Sequence, residues 1–176
     1  MTTQNFPYVD RDKAGKSALM PYLPVELSND GNATEVLALV DSGSTLNVLS
    51  NEAGLALGLD WSRQLIPVRL AGNLSSAEAY GVVLHARVHG FDPVRLAFAW
   101  TANPNVPTIL GQTNFFAEFD VAFFRSQSLF TVSKPNDGIT NKSLTSRACE
   151  PMFKDSVQVA RLFSLGICFV RVKMTT

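Results

Sequence analysis

A chain of 176 residues, 46% of them hydrophobic and 17% charged, is long enough to bury one sizeable core and too apolar to be a disordered polymer. Fifteen Lys and Arg balance fifteen Asp and Glu, so no excess of charge marks the chain for nucleic acid or for an anionic membrane surface. Two cysteines, Cys149 and Cys168, are too few for a disulfide scaffold and have no metal-ligand spacing, which predicts a reducing, cytoplasmic compartment.

Residues 1–17 are polar and mixed in charge and read as a flexible leader. Charges stand where a secretion signal needs its apolar segment, and no apolar run approaches the length of a bilayer crossing. From Ala18 the pattern turns strand-like. ALMPYLPVEL and EVLALVD flank SNDGNA, which predicts a hairpin across Asp30 and Gly31. After DSGST comes LNVLS, a short apolar stretch. Ser50 then suits the N-cap of a short helix from Asn51 to about Leu57, ended by Gly58. PVRLAGNLSSAEAYGVVLHARV has two β-type segments around a tip at Gly72 and Asn73. VVLHARVHGFDPVRLAFAW holds two strands joined at His89–Pro93, with Val94, Leu96 and Phe98 on one face of the second.

VPTIL runs into Gly111, and QTNFFAEF has the spacing of a brief helix burying Phe115, Phe116 and Phe119. DVAFF and SQSLFTV follow, and the phenylalanines between 115 and 130 read as a core stripe. Many short strands with one or two short helices predict an all-β fold, a small closed or nearly closed β-barrel complete by Val132. SKPNDGITNKSLTSRA has linker composition. The remainder to Thr176 is apolar again but too short for a domain, and is a docking strand, a docking helix or a tail without a packed home.

The segment LALVDSGSTLNVLS, residues 37–50, places a carboxylate at the end of an apolar run and follows it with a tight small-residue turn. Alone, Asp41 reads as a strand-end residue in an Asx turn. Its flanks change that reading. Apolar residues, Asp, Ser, Gly, a small residue and more apolar positions resemble the active-site motif of the aspartic proteases. A hairpin follows at flap distance, and Ile109-Leu110-Gly111 before a short helix resembles the family's second conserved element. The likeness covers about residues 18–132 and is strongest to the retropepsin-like, single-domain branch.

The resemblance implies the following. Peptide hydrolysis in this family needs two facing carboxylates, and one DSG occurs in the chain, so the active unit is a homodimer with Asp41 of each subunit as the catalytic pair. No metal or cofactor is implied, and the substrate is a peptide or protein. Ser42 would lock the two turns across the axis, and Gly43 would let the backbone close on the carboxylates. Ser44 would donate its hydroxyl to the aspartate and so lower the pair's first pKa, favouring acidic activity. Ala71, Gly72, Asn73 and Leu74 would form a flap that hydrogen-bonds an extended peptide, the alternative being a plain surface hairpin. Gly111 would pack on the catalytic turn as a small spacer. The rival reading is a catalytically silent peptide-binding or dimerisation module of the same fold. In retroviral relatives the chain ends build part of the dimer sheet, and the extension over 133–176 is either a regulatory tail that blocks that interface or one that packs elsewhere.

Other chemistry is excluded by context. His85 and His89 are four apart but lie in a strand pattern without a third ligand. Ser42 and Ser44 lack a GxSxG elbow, GLALGLD lacks the lysine of a phosphate loop, and Trp61 reads as a core or rim aromatic.

Overall fold

The computed structural model describes residues 2–10, 19–75 and 77–135. The chain divides into two units, Met1–Lys134 and Pro135–Thr176, and the extension lies outside the described residues from position 136 on. Among the described residues nine strands run in chain order: β1 (Thr3–Pro7), β2 (Tyr22–Asn29), β3 (Asn32–Val40), β4 (Val48–Leu49), β5 (Ala79–Val88), β6 (Val94–Thr101), β7 (Ile109–Leu110), β8 (Asp120–Phe124) and β9 (Leu129–Ser133). Two short helices, α1 (Asn51–Ala56) and α2 (Phe115–Glu118), complete the set.

Six strands close into a barrel in the order β2-β3-β7-β4-β6-β5, with β5 pairing back to β2. Alternation explains the inside of the wall. Leu23, Val25 and Leu27 of β2 point inward and are almost fully buried, as are Leu84, Ala86 and Val88 of β5 and Leu96, Phe98 and Trp100 of β6. The β2–β3 hairpin turns on Asp30 (φ 44°) and Gly31 (φ 87°), two left-handed residues in a two-residue loop, which matches the right-handed twist of the strands. Helix α1 starts where Ser50 accepts the Ala53 N–H and ends before Gly58, as the sequence predicts.

Two expectations are corrected here. The leader is not loose over its whole length: Thr3–Pro7 forms β1, in antiparallel register with β9 from Thr3↔Ser133 to Pro7↔Leu129. Only one apolar side chain, Phe6, points inward from β1, and it stacks on Phe130 at 5.5 Å, so its packing is invisible in a polar pentapeptide. β8 and β9 do not enter the barrel either. They form a separate antiparallel sheet in the order β1-β9-β8. Phe6, Phe130 and Val132 of this sheet join the barrel's own core, together with Phe115 and Phe119.

The phenylalanine stripe is likewise only half core. Phe115, Phe119 and Phe130 are fully buried and Phe116 half-buried, but Phe123 and Phe124 of β8 are 38% and 41% exposed. The predicted flap hairpin has one real strand, β5. Its other arm is a ribbon held by the N–H of Val68 on the Ala79 carbonyl and the N–H of Gly81 on the Ile66 carbonyl, each at 2.8 Å. His85 and His89 are exposed, and among the described residues no group of His, Cys, Asp and Glu is arranged to hold a metal. Trp61 packs edge-on against Trp100 (5.0 Å) and Tyr80 (4.8 Å) at the barrel rim.

Candidate active site

β3 and β4 are consecutive in the chain but not neighbours in the barrel, because β7 lies between them. β7 pairs in parallel with β3 (Val40↔Leu110) and antiparallel with β4 (Val48↔Ile109). The chain must therefore leave β3, cross the end of β7 and return on its far side. Asp41–Asn47 is that crossing, and Asp41 is its first residue.

Three backbone features fix Asp41. Its N–H donates to the Leu110 carbonyl at 3.0 Å, its carbonyl accepts from the Ser44 N–H at 3.1 Å, and one carboxylate oxygen, Oδ1, accepts from the Gly43 N–H at 2.8 Å. The side chain is half-buried, while Ser42 and Gly43 are exposed. A carboxylate held by a backbone amide at a turn exposed to solvent is oriented without being sealed off. Two grooves elsewhere on the unit, of about 570 and 530 Å³, are lined by groups such as Glu26, Arg87 and Asp92, and by Glu52, Pro107 and Thr108; neither contains Asp41.

Gly111 meets this turn at very close range. A Cβ on it would lie 2.4 Å from the Leu46 carbonyl oxygen and 2.8 Å from that of Ser44, so no side chain fits. The next two residues bind the turn like a strand: the N–H of Gln112 donates to the Ser44 carbonyl and that of Thr113 to the Thr45 carbonyl, both at 2.8 Å. The Gln112 side chain adds Nε2 to the Ser42 carbonyl at 2.9 Å.

Asn47 is the residue that sequence reasoning missed. It is 1% exposed. Its Oδ1 accepts the Gly111 N–H at 2.7 Å and its Nδ2 donates to the Ala97 carbonyl at 3.0 Å. The Gly111 N–H and the Leu110 carbonyl belong to one planar peptide group. Asn47 therefore holds one end of the peptide whose other end holds the backbone of Asp41. The available signal was a single amide in an apolar run, TLNVLS, where burial demands that both ends of the amide be satisfied. Asn114, at φ 79°, plays a related part by accepting the Ala97 N–H at 2.6 Å.

The expectation for Ser44 is corrected. Its hydroxyl has one proton, and that proton goes to the Leu46 carbonyl at 2.8 Å rather than to Asp41. The physical reason is local: the crossing folds back within two residues and brings a backbone acceptor within hydrogen-bond reach of the hydroxyl. Ser44 therefore supplies no hydrogen bond to the carboxylate in this conformation.

The hairpin tip is a turn of 3-10 helix, Gly72–Leu74, with Gly72 at φ 62°. Ala71 and Gly72 are exposed, and Leu74 is half-buried. The Leu74 N–H is already bonded to the Ala71 carbonyl, so that amide is not offered to a ligand in this conformation. Leu74, Leu70 and Ala77 pack instead on a small apolar cluster with Leu46, Val48 and Val106. The tip thus rests on the far end of the crossing that begins at Asp41.

No family model matches this chain, and no curated protein does. Among solved structures it is similar to a retropepsin-like aspartic protease from Rickettsia conorii, with 12% identity, a TM-score of 0.52, and coverage of 74% of this chain and 91% of that one. The fold, a six-stranded closed barrel with two short helices, is thus of the retropepsin-like type. No helix among the described residues is long and apolar enough to cross a membrane.

Proposed function

We propose that this chain is an aspartic endopeptidase that acts as a homodimer, with Asp41 of each subunit forming the catalytic pair. The observation that carries the reading is the placement of Asp41. It opens the crossing over β7, with its main chain bound to Leu110 and its carboxylate bound by Gly43, in a fold that a retropepsin-like protease shares. The chemistry follows from charge. Two carboxylates in contact cannot both ionise cheaply, so the pair keeps one proton; the aspartic proteases are the standard example of that rule. The ionised partner takes a proton from a water as it attacks the scissile carbonyl. The protonated partner donates to the carbonyl oxygen, and a proton is then returned to the leaving amine. One chain supplies one such carboxylate, so a monomer is inactive.

Within each subunit the residues described above have supporting parts in this scheme. Gly111 and Asn47 keep the crossing in place, and Gln112 ties down Ser42. Apolar side chains around the crossing, Leu46 and Leu74 among them, would border a substrate that lies across the axis in extended form.

The test is peptide cleavage over a range of pH, with and without pepstatin, run beside sedimentation on wild type and Asp41→Asn. Cleavage that tracks the dimer, is blocked by pepstatin and disappears in Asp41→Asn supports the proposal. Cleavage that survives the substitution overturns it. A stable dimer that cleaves no member of a broad peptide library favours the silent binding module instead.

A further inference from the structure

β3 is nine residues long, and its two sides are not equally occupied. β2 pairs with it from Asn32 to Leu39, whereas β7, on its other side, pairs only with Leu39 and Val40. The bonds at its C-terminal end show which residues face which neighbour. The Leu39 N–H donates to the Thr108 carbonyl on the β7 side at 2.9 Å, and the Val40 N–H to the Pro21 carbonyl on the β2 side at 3.0 Å. Main-chain groups alternate along an antiparallel strand, so Glu35 and Leu37 aim their N–H and C=O groups to the same side as Leu39. Among the described residues no backbone group meets them there. Beside them lies a groove of about 530 Å³, closed by α1 at Glu52, Ala53 and Ala56 and by the loop over 104–108. Ligand clefts span about 300–1,000 Å³, so the space is enough for a short segment of chain. Neither Asp41 nor the tip Gly72–Leu74 borders it.

We propose that this open stretch of β3 is a docking slot for an extended, basic segment of a partner protein, which pairs with the strand where β7 leaves off. The main chain supplies the recognition. Glu35 and Leu37 stand two residues apart, about 7 Å, which is the repeat at which a second strand presents its own N–H and C=O groups. Charge supplies the sequence preference. Glu35 and Glu52 line the groove, and among the described residues no Lys, Arg or His does. Across the β2–β3 ladder Glu35 faces Glu26, whose carboxylate already holds Arg87 at 2.6 Å, so Glu35 is left beside a like charge. The side chains of Glu35 and Leu37 are both exposed on the outer face, and residues opposite them on an added strand share that face. The segment that fits therefore carries Lys or Arg opposite Glu35 and an apolar residue opposite Leu37, with one residue between them. The slot is separate from Asp41 and stands whether or not that carboxylate is catalytic.

The test uses a fluorescein-labelled peptide, Ser-Lys-Thr-Leu-Thr-Lys-Ser, whose pattern reads alike in both directions. It is titrated by anisotropy into the full chain carrying Asp41→Asn, so that cleavage does not consume it. Saturable binding is expected, with slowed hydrogen exchange at the amides of Glu35 and Leu37. Adding Glu35→Lys, at an exposed position where it should not lower the Tm, replaces attraction by repulsion and should weaken binding on the order of tenfold. N-methylation of the peptide's three central residues removes the donors that a strand edge needs and should abolish binding. No saturable binding overturns the slot, as does an affinity unchanged by Glu35→Lys or by N-methylation. Protection that appears elsewhere and not at Glu35 and Leu37 overturns it too. So does protection of those two amides that rises with protein concentration in the absence of peptide, which would put a second copy of the chain in the groove. None of these results bears on whether Asp41 hydrolyses peptides, so the two readings fail separately.

Discussion

Replacing Asn47 by leucine tests whether the Leu110–Gly111 peptide is held where the structure places it. Leucine fills a similar volume but offers neither donor nor acceptor. Two groups lose their partner: the buried Gly111 N–H, bonded at 2.7 Å, and the half-buried Ala97 carbonyl, bonded at 3.0 Å. Stranding a buried polar group costs about 1–3 kcal/mol and the half-buried carbonyl adds less, so the pair costs roughly 2–5 kcal/mol. Removing a desolvated amide and adding apolar surface return about 1–2 kcal/mol of that. The net expectation is a loss of about 1–3 kcal/mol, or a fall in Tm on the order of 5–10 °C for a unit of this size. Urea denaturation measures the total. Hydrogen exchange locates it, because the amide of Asp41 should lose protection relative to that of Leu84 in β5, which has no part in the network. Asn47→Asp supplies an independent check. A protonated aspartic acid keeps an acceptor and a donor, whereas its ionised form is a buried charge facing the Ala97 carbonyl. Burial raises the native pKa of such a group above the unfolded value of about 3.9, so its penalty is small below that value and grows as pH rises, until the native pKa is reached. A leucine variant within about 0.5 kcal/mol of wild type, the scatter of ordinary surface substitutions, refutes the reasoning. So does an aspartate variant whose penalty is flat with pH.

Other substitutions read separate parts of the same fold. Gly54→Ala ought to stabilise a helix by about 1 kcal/mol on propensity alone. In α1 the added Cβ would lie 2.1 Å from Nε1 of the fully buried Trp100, so we expect a net loss of about 2 kcal/mol or more by urea denaturation. Ser44→Ala removes the hydroxyl bonded to the Leu46 carbonyl and should cost about 1 kcal/mol of stability, yet leave the acidic limb of the pH-rate profile where it is in wild type. A displaced limb would show that the hydroxyl reaches Asp41 during turnover. Asp60 caps the short turn Trp61–Arg63; the Ser62 hydroxyl and then the Ser62 N–H, with Arg63 nearby, hold its pKa below the ordinary aspartate range. A lowered folded pKa means that its contribution is present above the unfolded value and is lost as pH falls through the folded one. The difference in Tm between wild type and Asp60→Ala should therefore shrink on acidification below the ordinary aspartate range, and one that stays constant would count against the cap.

The elements that could be read from sequence are those whose physics is local. The Asp30-Gly31 hairpin needs two left-handed residues, and the sequence supplies them side by side. Helix α1 needs a cap three residues from an amide, and Ser50 is that cap. The Asp41 turn and Ile109-Leu110-Gly111 were each visible as short strings, though the structure alone shows why they belong together: β7 lies under the crossing between β3 and β4. What stayed hidden depends on distance along the chain. Asn47 bonds residues 50 and 64 positions away, and nothing in TLNVLS names either partner. β1 is a strand because β9 is there to pair with it, not because TQNFP has a strand's pattern. The exposure of Phe123 and Phe124 has the same root. An apolar residue in a strand is expected to point into the core of its own chain, which holds only where other elements reach it. Val121 of β8 packs on the barrel core and Phe123 leans on Phe130, while Phe123 and Phe124 stay partly exposed among the described residues.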